Sequence, residues 1–183
     1  ELRLTADEGT SPDVEQRPVA MALVLDVSGS MSGEKIEQAR QSVLSMVEQM
    51  RDTDRIALVT YSDSARLVQP LAMVRDVRAQ LRTVVPTIQI EGGTNIPSGL
   101  TLGAAALSEA PDSLVRRVVL MSDGRDGSGR PLDVIAQDVR QRAEGGVTLS
   151  SLGVGAHYDE SYMSPLAAAG RGNYEFLRDG AQL

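Results

Sequence analysis

The stretch Val19–Leu25 is apolar without interruption, ends on Asp26, and gives way after a short turn to a segment of helical periodicity. A strand with no polar alternation is buried on both faces, which is the condition of an inner strand in a parallel sheet covered by helices. Residues 33–51 supply the first such helix. Ile36, Ala39, Val43, Met46, Val47 and Met50 recur at steps of three and four and predict an inward stripe, leaving Glu34, Glu37, Arg40 and Glu48 to face water.

The alternation continues along the chain. Residues 55–61 read as a strand, and the short Ser62-Asp-Ser64 link makes 65–71 its antiparallel partner, since a parallel crossover needs far more residues. Helical patterns follow over 74–83, 96–110, 131–143 and 160–169, with Pro97 acceptable in a first turn and Pro111 ending that helix. Strand patterns lie at 116–121, 147–154 and 174–177. Strand and helix in regular succession predict an α/β fold, an open sheet with helices on both faces. Residues 1–17 form a short alternating strand, Leu2–Thr5, and a polar linker, and are expected to lie outside the domain spanned by 18–183, whose final helix is cut short.

The turn after the first strand carries chemistry. Asp26, Ser28 and Ser30 form a D-x-S-x-S run, one carboxylate and two hydroxyls delivered into a tight turn, an all-oxygen set that suits a hard divalent cation. Two later segments add donors: Glu91-Gly-Gly-Thr-Asn95 presents Thr94 on a glycine-flanked loop, and Val118-Val-Leu-Met-Ser-Asp-Gly124 ends a second apolar strand on Asp123. Alone, each serine or threonine reads as a cap or turn residue and Asp123-Gly124 as an ordinary turn. Asp126, in the loop after Gly124, is expected to be solvated.

With these three motifs in this order, the chain resembles a von Willebrand factor type A domain of bacterial type, from about Val19 to Phe176. The resemblance implies a doubly wound, mostly parallel six-stranded sheet of order 3-2-1-4-5-6, strand 3 being antiparallel. It also implies a metal-ion-dependent adhesion site formed by Asp26, Ser28, Ser30, Thr94 and Asp123. The metal would be Mg²⁺, with Mn²⁺ or Ca²⁺ as substitutes, and the partner a protein presenting Asp or Glu. Neutral hydroxyl ligands leave such a metal electrophilic, and Mg²⁺ usually keeps exchangeable water, so a partner's carboxylate can join it. A periplasmic, cell-surface or secreted location is favoured over a cytoplasmic one. The alternatives are a metal-assisted hydrolase using the same oxygens and an intracellular assembly module acting with an AAA+ ATPase.

Composition narrows the classes further. A net charge of −7 with no basic stripe argues against nucleic-acid binding, and no apolar run is long enough for membrane insertion by this segment. The absence of Cys excludes disulfides and thiolate chemistry. Enzyme motifs are missing: there is no G-x-S-x-G elbow or Walker lysine motif, Ser32-Gly-Glu-Lys35 has no K-T-G to accompany it, and His157 is the one histidine. No catalytic residues are expected. Lys35 is the one lysine of the 18 basic residues.

Overall fold

The structure, a computed structural model, describes residues 17–124, 126–155 and 158–177. The strand expected at Leu2–Thr5, the expected start of a final helix and His157 lie outside the described residues. Six strands, β1 (Val19–Asp26), β2 (Arg55–Tyr61), β3 (Ala65–Met73), β4 (Val115–Ser122), β5 (Val147–Val154) and β6 (Arg171–Leu177), form one sheet in the order β3-β2-β1-β4-β5-β6. All neighbouring pairs are parallel except β2 and β3. Five helices, α1 (Glu34–Gln49), α2 (Val74–Val84), α3 (Ile96–Ala106), α4 (Leu132–Glu144) and α5 (Glu160–Ala169), cover it.

Strand parity divides the core. On one face Leu23 and Leu25 of β1 meet Ile36, Val43 and Val47 of α1 and Val77 and Leu81 of α2. On the other, Ala20, Ala22 and Val24 belong to a cluster with Ile96, Ile135 and Met163, from α3, α4 and α5. Each fully buried Leu, Ile or Val contributes about 1.5–3 kcal/mol, so the two-sided burial of β1 accounts for its unbroken hydrophobicity. The small residues of β1 on the second face match glycines of α3. A Cβ on Gly103 would stand 2.5 Å from Val24 Cγ2, and one on Gly99 would stand 2.7 Å from Tyr61 Cδ1, so α3 lies closer to the sheet than a helix with larger residues could.

The chain's lower edge is fastened by Asp54. Its carboxylate accepts from the backbone N–H of Val19 at 2.9 Å and from that of Arg51 at 2.9 Å, joining the start of β1 to the turn before β2.

Several boundaries and contacts differ from the sequence reading, and β6 begins at Arg171 rather than at Tyr174. The helix expected to reach Ala110 ends at Ala106, because Leu107, Ser108 and Ala110 close tighter turns three residues back, ahead of Pro111. β3 runs on to Met73, and a register shift between Ile56 and Leu58 accommodates Pro70 on this edge strand. Arg40, expected in water, is partly buried because its guanidinium donates to the Ile88 carbonyl as well as to Glu37.

Candidate metal centre

The sheet order reverses direction at β1 and β4, and a crevice beyond the carboxyl ends of such strands is where doubly wound folds bind ligands. β1 ends on Asp26 and β4 on Ser122, with Asp123 immediately after. Asp26, Ser28 and Asp123 are all buried, Ser30 is exposed and Thr94 half-buried.

Asp26 is held by three donors. The backbone N–H of Ser28 donates to Oδ1 at 2.8 Å, and the hydroxyls of Ser122 and Tyr61 donate to Oδ2 at 2.6 and 3.2 Å. Burial pushes the Asp26 carboxyl above its ordinary value. The donors from Ser122 and Ser28 pull it back, and the neighbouring charge of Asp123 adds to the rise. Tyr61 is wholly enclosed, and burial followed by the charge of Asp26 keeps its phenol well above the ordinary tyrosine value.

Past Asp26 the chain makes a single 3₁₀ turn, Gly29–Met31, before α1. Ser28 occupies the N-cap position of that turn yet makes no side-chain capping bond. Its hydroxyl lies instead 3.1 Å from the hydroxyl of Ser30. Likewise Thr94 leaves capping to its neighbour: Asn95 is the N-cap of α3, its side-chain oxygen accepting from Ser98 N–H at 3.0 Å. Ser28 and Thr94 are thus spared the local roles that their residue types usually perform.

Backbone bonds sew the loops together. Glu91 N–H donates to Val27 O at 2.7 Å and Gly29 N–H to Gly92 O at 3.0 Å, fixing the Thr94 loop against the serine turn. Gly127 N–H donates to Thr94 O at 2.7 Å, and Asp126 Oδ1 accepts from Ile96 N–H at 3.0 Å. Asp126 is therefore a brace at the start of α3, half-buried rather than solvated. On the far side Asp159 N–H donates to Asp123 O at 2.7 Å. Gly124 is required there: its φ is +82°, and a Cβ would come within 2.8 Å of Asp159 O.

Three polar residues at this site were not singled out as functional from sequence. Ser122 sits inside the motif that names Asp123. Tyr61 becomes Asp26's partner through parallel register, in which the two residues are paired across β1 and β2. The third is Lys35, whose ammonium donates to Asp123 Oδ2 at 2.8 Å and to Ser30 O at 3.0 Å. Its isolation as the one lysine, five positions after Ser30, was the available signal.

The donor chemistry suits a hard divalent cation. Among the described residues no group of three or more His, Cys, Asp or Glu side chains gathers, so hydroxyls would contribute as much as carboxylates. Adjacent ligands of an octahedral ion bound at about 2.1 Å stand about 3 Å apart. The Ser28–Ser30 hydroxyl separation of 3.1 Å matches that edge.

A doubly wound α/β domain with polar side chains gathered at its switch point defines the class of protein. The chain belongs to the von Willebrand factor type A domain family, whose sequence model matches residues 21–183. It is similar to the Escherichia coli protein YfbK, 32% identical over 172 residues, which cover 89% of this chain and 29% of that one. The chain spans less than half the length of the first curated relatives it matches, 43% and 29%. Among solved structures, the von Willebrand factor type A protein of Catenulispora acidiphila superposes with a TM-score of 0.80 at 24% identity, covering 90% of this chain and 39% of that one. Proximal thread matrix protein 1 of the mussel byssus, described with a zinc-occupied metal-ion-dependent adhesion site, superposes with a TM-score of 0.67 at 18% identity, covering 87% and 41%. These two likenesses show the shared fold. No helix among the described residues is long and apolar enough to cross a membrane.

Proposed function

We propose that the chain is a metal-dependent protein-binding module. Asp26, Ser28, Ser30, Thr94 and Asp123 hold one divalent cation, Mg²⁺ in preference, with Mn²⁺ or Ca²⁺ able to replace it. The bound ion supplies a Lewis-acidic position for an Asp or Glu carboxylate of a partner protein. The observation that carries this reading is the pairing of two buried carboxylates, Asp26 and Asp123, with seryl hydroxyls 3.1 Å apart at the β1–β4 switch point. The mussel byssus relative, described with zinc at its own site, supports divalent binding by the fold. Hydroxyl-rich ligation supports recruitment of an anion, because neutral oxygens leave the ion's charge largely unquenched.

The chain's own residues prepare the site. Ser122 and Tyr61 orient Asp26, and the braces from Asp126 and Gly127 fix the start of α3 and the backbone at Thr94. The experiment is capture of acidic protein ligands on the immobilised chain with Mg²⁺ present. The reading predicts release by a chelator and loss of capture in Thr94→Ala. Metal-dependent turnover of a phosphoester, ester or peptide by the purified chain, abolished by Asp26→Ala, contradicts it in favour of a hydrolase.

A further inference from the structure

Lys35 is placed with more constraint than a surface lysine. It leaves the first turn of α1 and directs its ammonium between the Ser30 carbonyl, at 3.0 Å, and the Asp123 carboxylate, at 2.8 Å. Those contacts join the serine turn to the end of β4. The side chain of Asp123 is fully buried, while that of Lys35 is 26% exposed, so one end of the pair is fixed and the other opens toward solvent.

A second, independent feature holds the stem. Gly155, which follows β5, has φ +83°, and a Cβ there would lie 2.8 Å from Lys35 Cε and 2.9 Å from its Cγ. The methylenes of Lys35 thus run directly over the backbone at Gly155, a path that a side chain at this position would block. The serine turn after β1, the residue after β4 and the residue after β5 converge on this one lysine.

The electrostatics follow from position. Asp26 and Asp123 are both buried and close enough for the charge of one to act on the other. A fixed positive charge against Asp123 offsets part of that repulsion. A divalent ion held by Asp123 would meet the same ammonium at close range, and like charges in a partly buried site repel strongly.

We infer that Lys35 is a resident counter-ion of this site, which stabilises the chain when no divalent ion is bound and competes with divalent cations for Asp123. The inference rests on the metal-binding reading above. Metal entry then requires the ammonium to leave Asp123, and the site's affinity for metal is set below what its oxygen donors alone would give.

The test is a calorimetric titration of Mn²⁺ into the wild-type chain and into Lys35→Met and Lys35→Gln at low ionic strength, with melting curves recorded alongside. Lys35→Gln retains most of the stem and a neutral donor, and serves if Lys35→Met does not fold without metal. Loss of the competing charge should tighten Mn²⁺ binding by about tenfold. It should also lower the metal-free melting temperature and enlarge the rise on adding Mn²⁺. Wild-type binding with variant affinity unchanged within twofold, or weaker, overturns the inference while leaving the metal reading intact. Mn²⁺ binding by none of the three overturns both.

Discussion

The Ser122 hydroxyl donates to the Asp26 carboxylate at 2.6 Å across 96 positions of sequence, joining the ends of the two central strands. The same oxygen accepts from Gly124 N–H at 3.0 Å, so one serine orients the first aspartate and shapes the turn that follows the second. Ser122→Ala leaves a buried carboxylate with fewer donors and a backbone N–H without this acceptor. The expected cost is about 2–3 kcal/mol, as for a charge-assisted bond inside a protein. Urea denaturation should show a lower midpoint with an unchanged slope.

Helix α3 depends on its small residues. Gly103→Ala raises intrinsic helix propensity by up to about 1 kcal/mol. Its new methyl group, however, would lie 2.5 Å from Val24 Cγ2, on a fully buried β-branched side chain that is stiff at χ1. Overpacking should prevail, giving a net loss of about 1–3 kcal/mol. A variant as stable as the wild type would show that α3 shifts outward without cost.

Alkaline pH should expose the enclosed phenols. Burial and the charge of Asp26 hold Tyr61 well above 10.0, and burial similarly raises Tyr162 and Tyr174. Above that ordinary value the unfolded chain gives up tyrosine protons that the folded chain retains. The folded state then binds more protons, and stability falls as pH rises, by up to about 1.4 kcal/mol per pH unit for the fully enclosed Tyr61 and by less for the half-buried Tyr162 and Tyr174. Below that range these groups contribute no slope. Tyr61→Phe should flatten the decline, as measured by denaturation midpoints between about pH 9 and about pH 11.

Asp54 offers a test remote from the site. Asp54→Ala leaves the N–H groups of Val19 and Arg51 without these acceptors at the base of β1. A loss of about 2–4 kcal/mol is expected from two such groups. Metal binding should be unaffected, since the substitution lies at the opposite end of the strand; a changed affinity would show coupling along β1.

The fold was legible because its signals are local. Val19–Leu25 announces a strand buried on both faces, and Ile36, Val43 and Val47 define the inward side of α1. The family resemblance carried by the D-x-S-x-S, Thr94 and Asp123 motifs implied the sheet order that the structure shows. What escaped the sequence depends on register and packing. Nothing local marks Tyr61 as a partner of Asp26, since the pairing comes from two parallel strands aligned at Asp26 and Tyr61. Gly99 and Gly103 read only as weak helix residues until Val24 and Tyr61 are seen against them. Asp126 looked like a solvated loop carboxylate because its acceptor role depends on Ile96 N–H, 30 positions away.

The central claim, one divalent ion held between the serine turn and Asp123, is tested most directly by titrating Mn²⁺ into the chain and following free Mn²⁺ by electron paramagnetic resonance. The account predicts saturable binding of a single ion by the wild type, lost in Ser28→Ala/Ser30→Ala while the circular dichroism spectrum is retained. Binding that survives unchanged in the double variant would place the ion elsewhere and contradict the account.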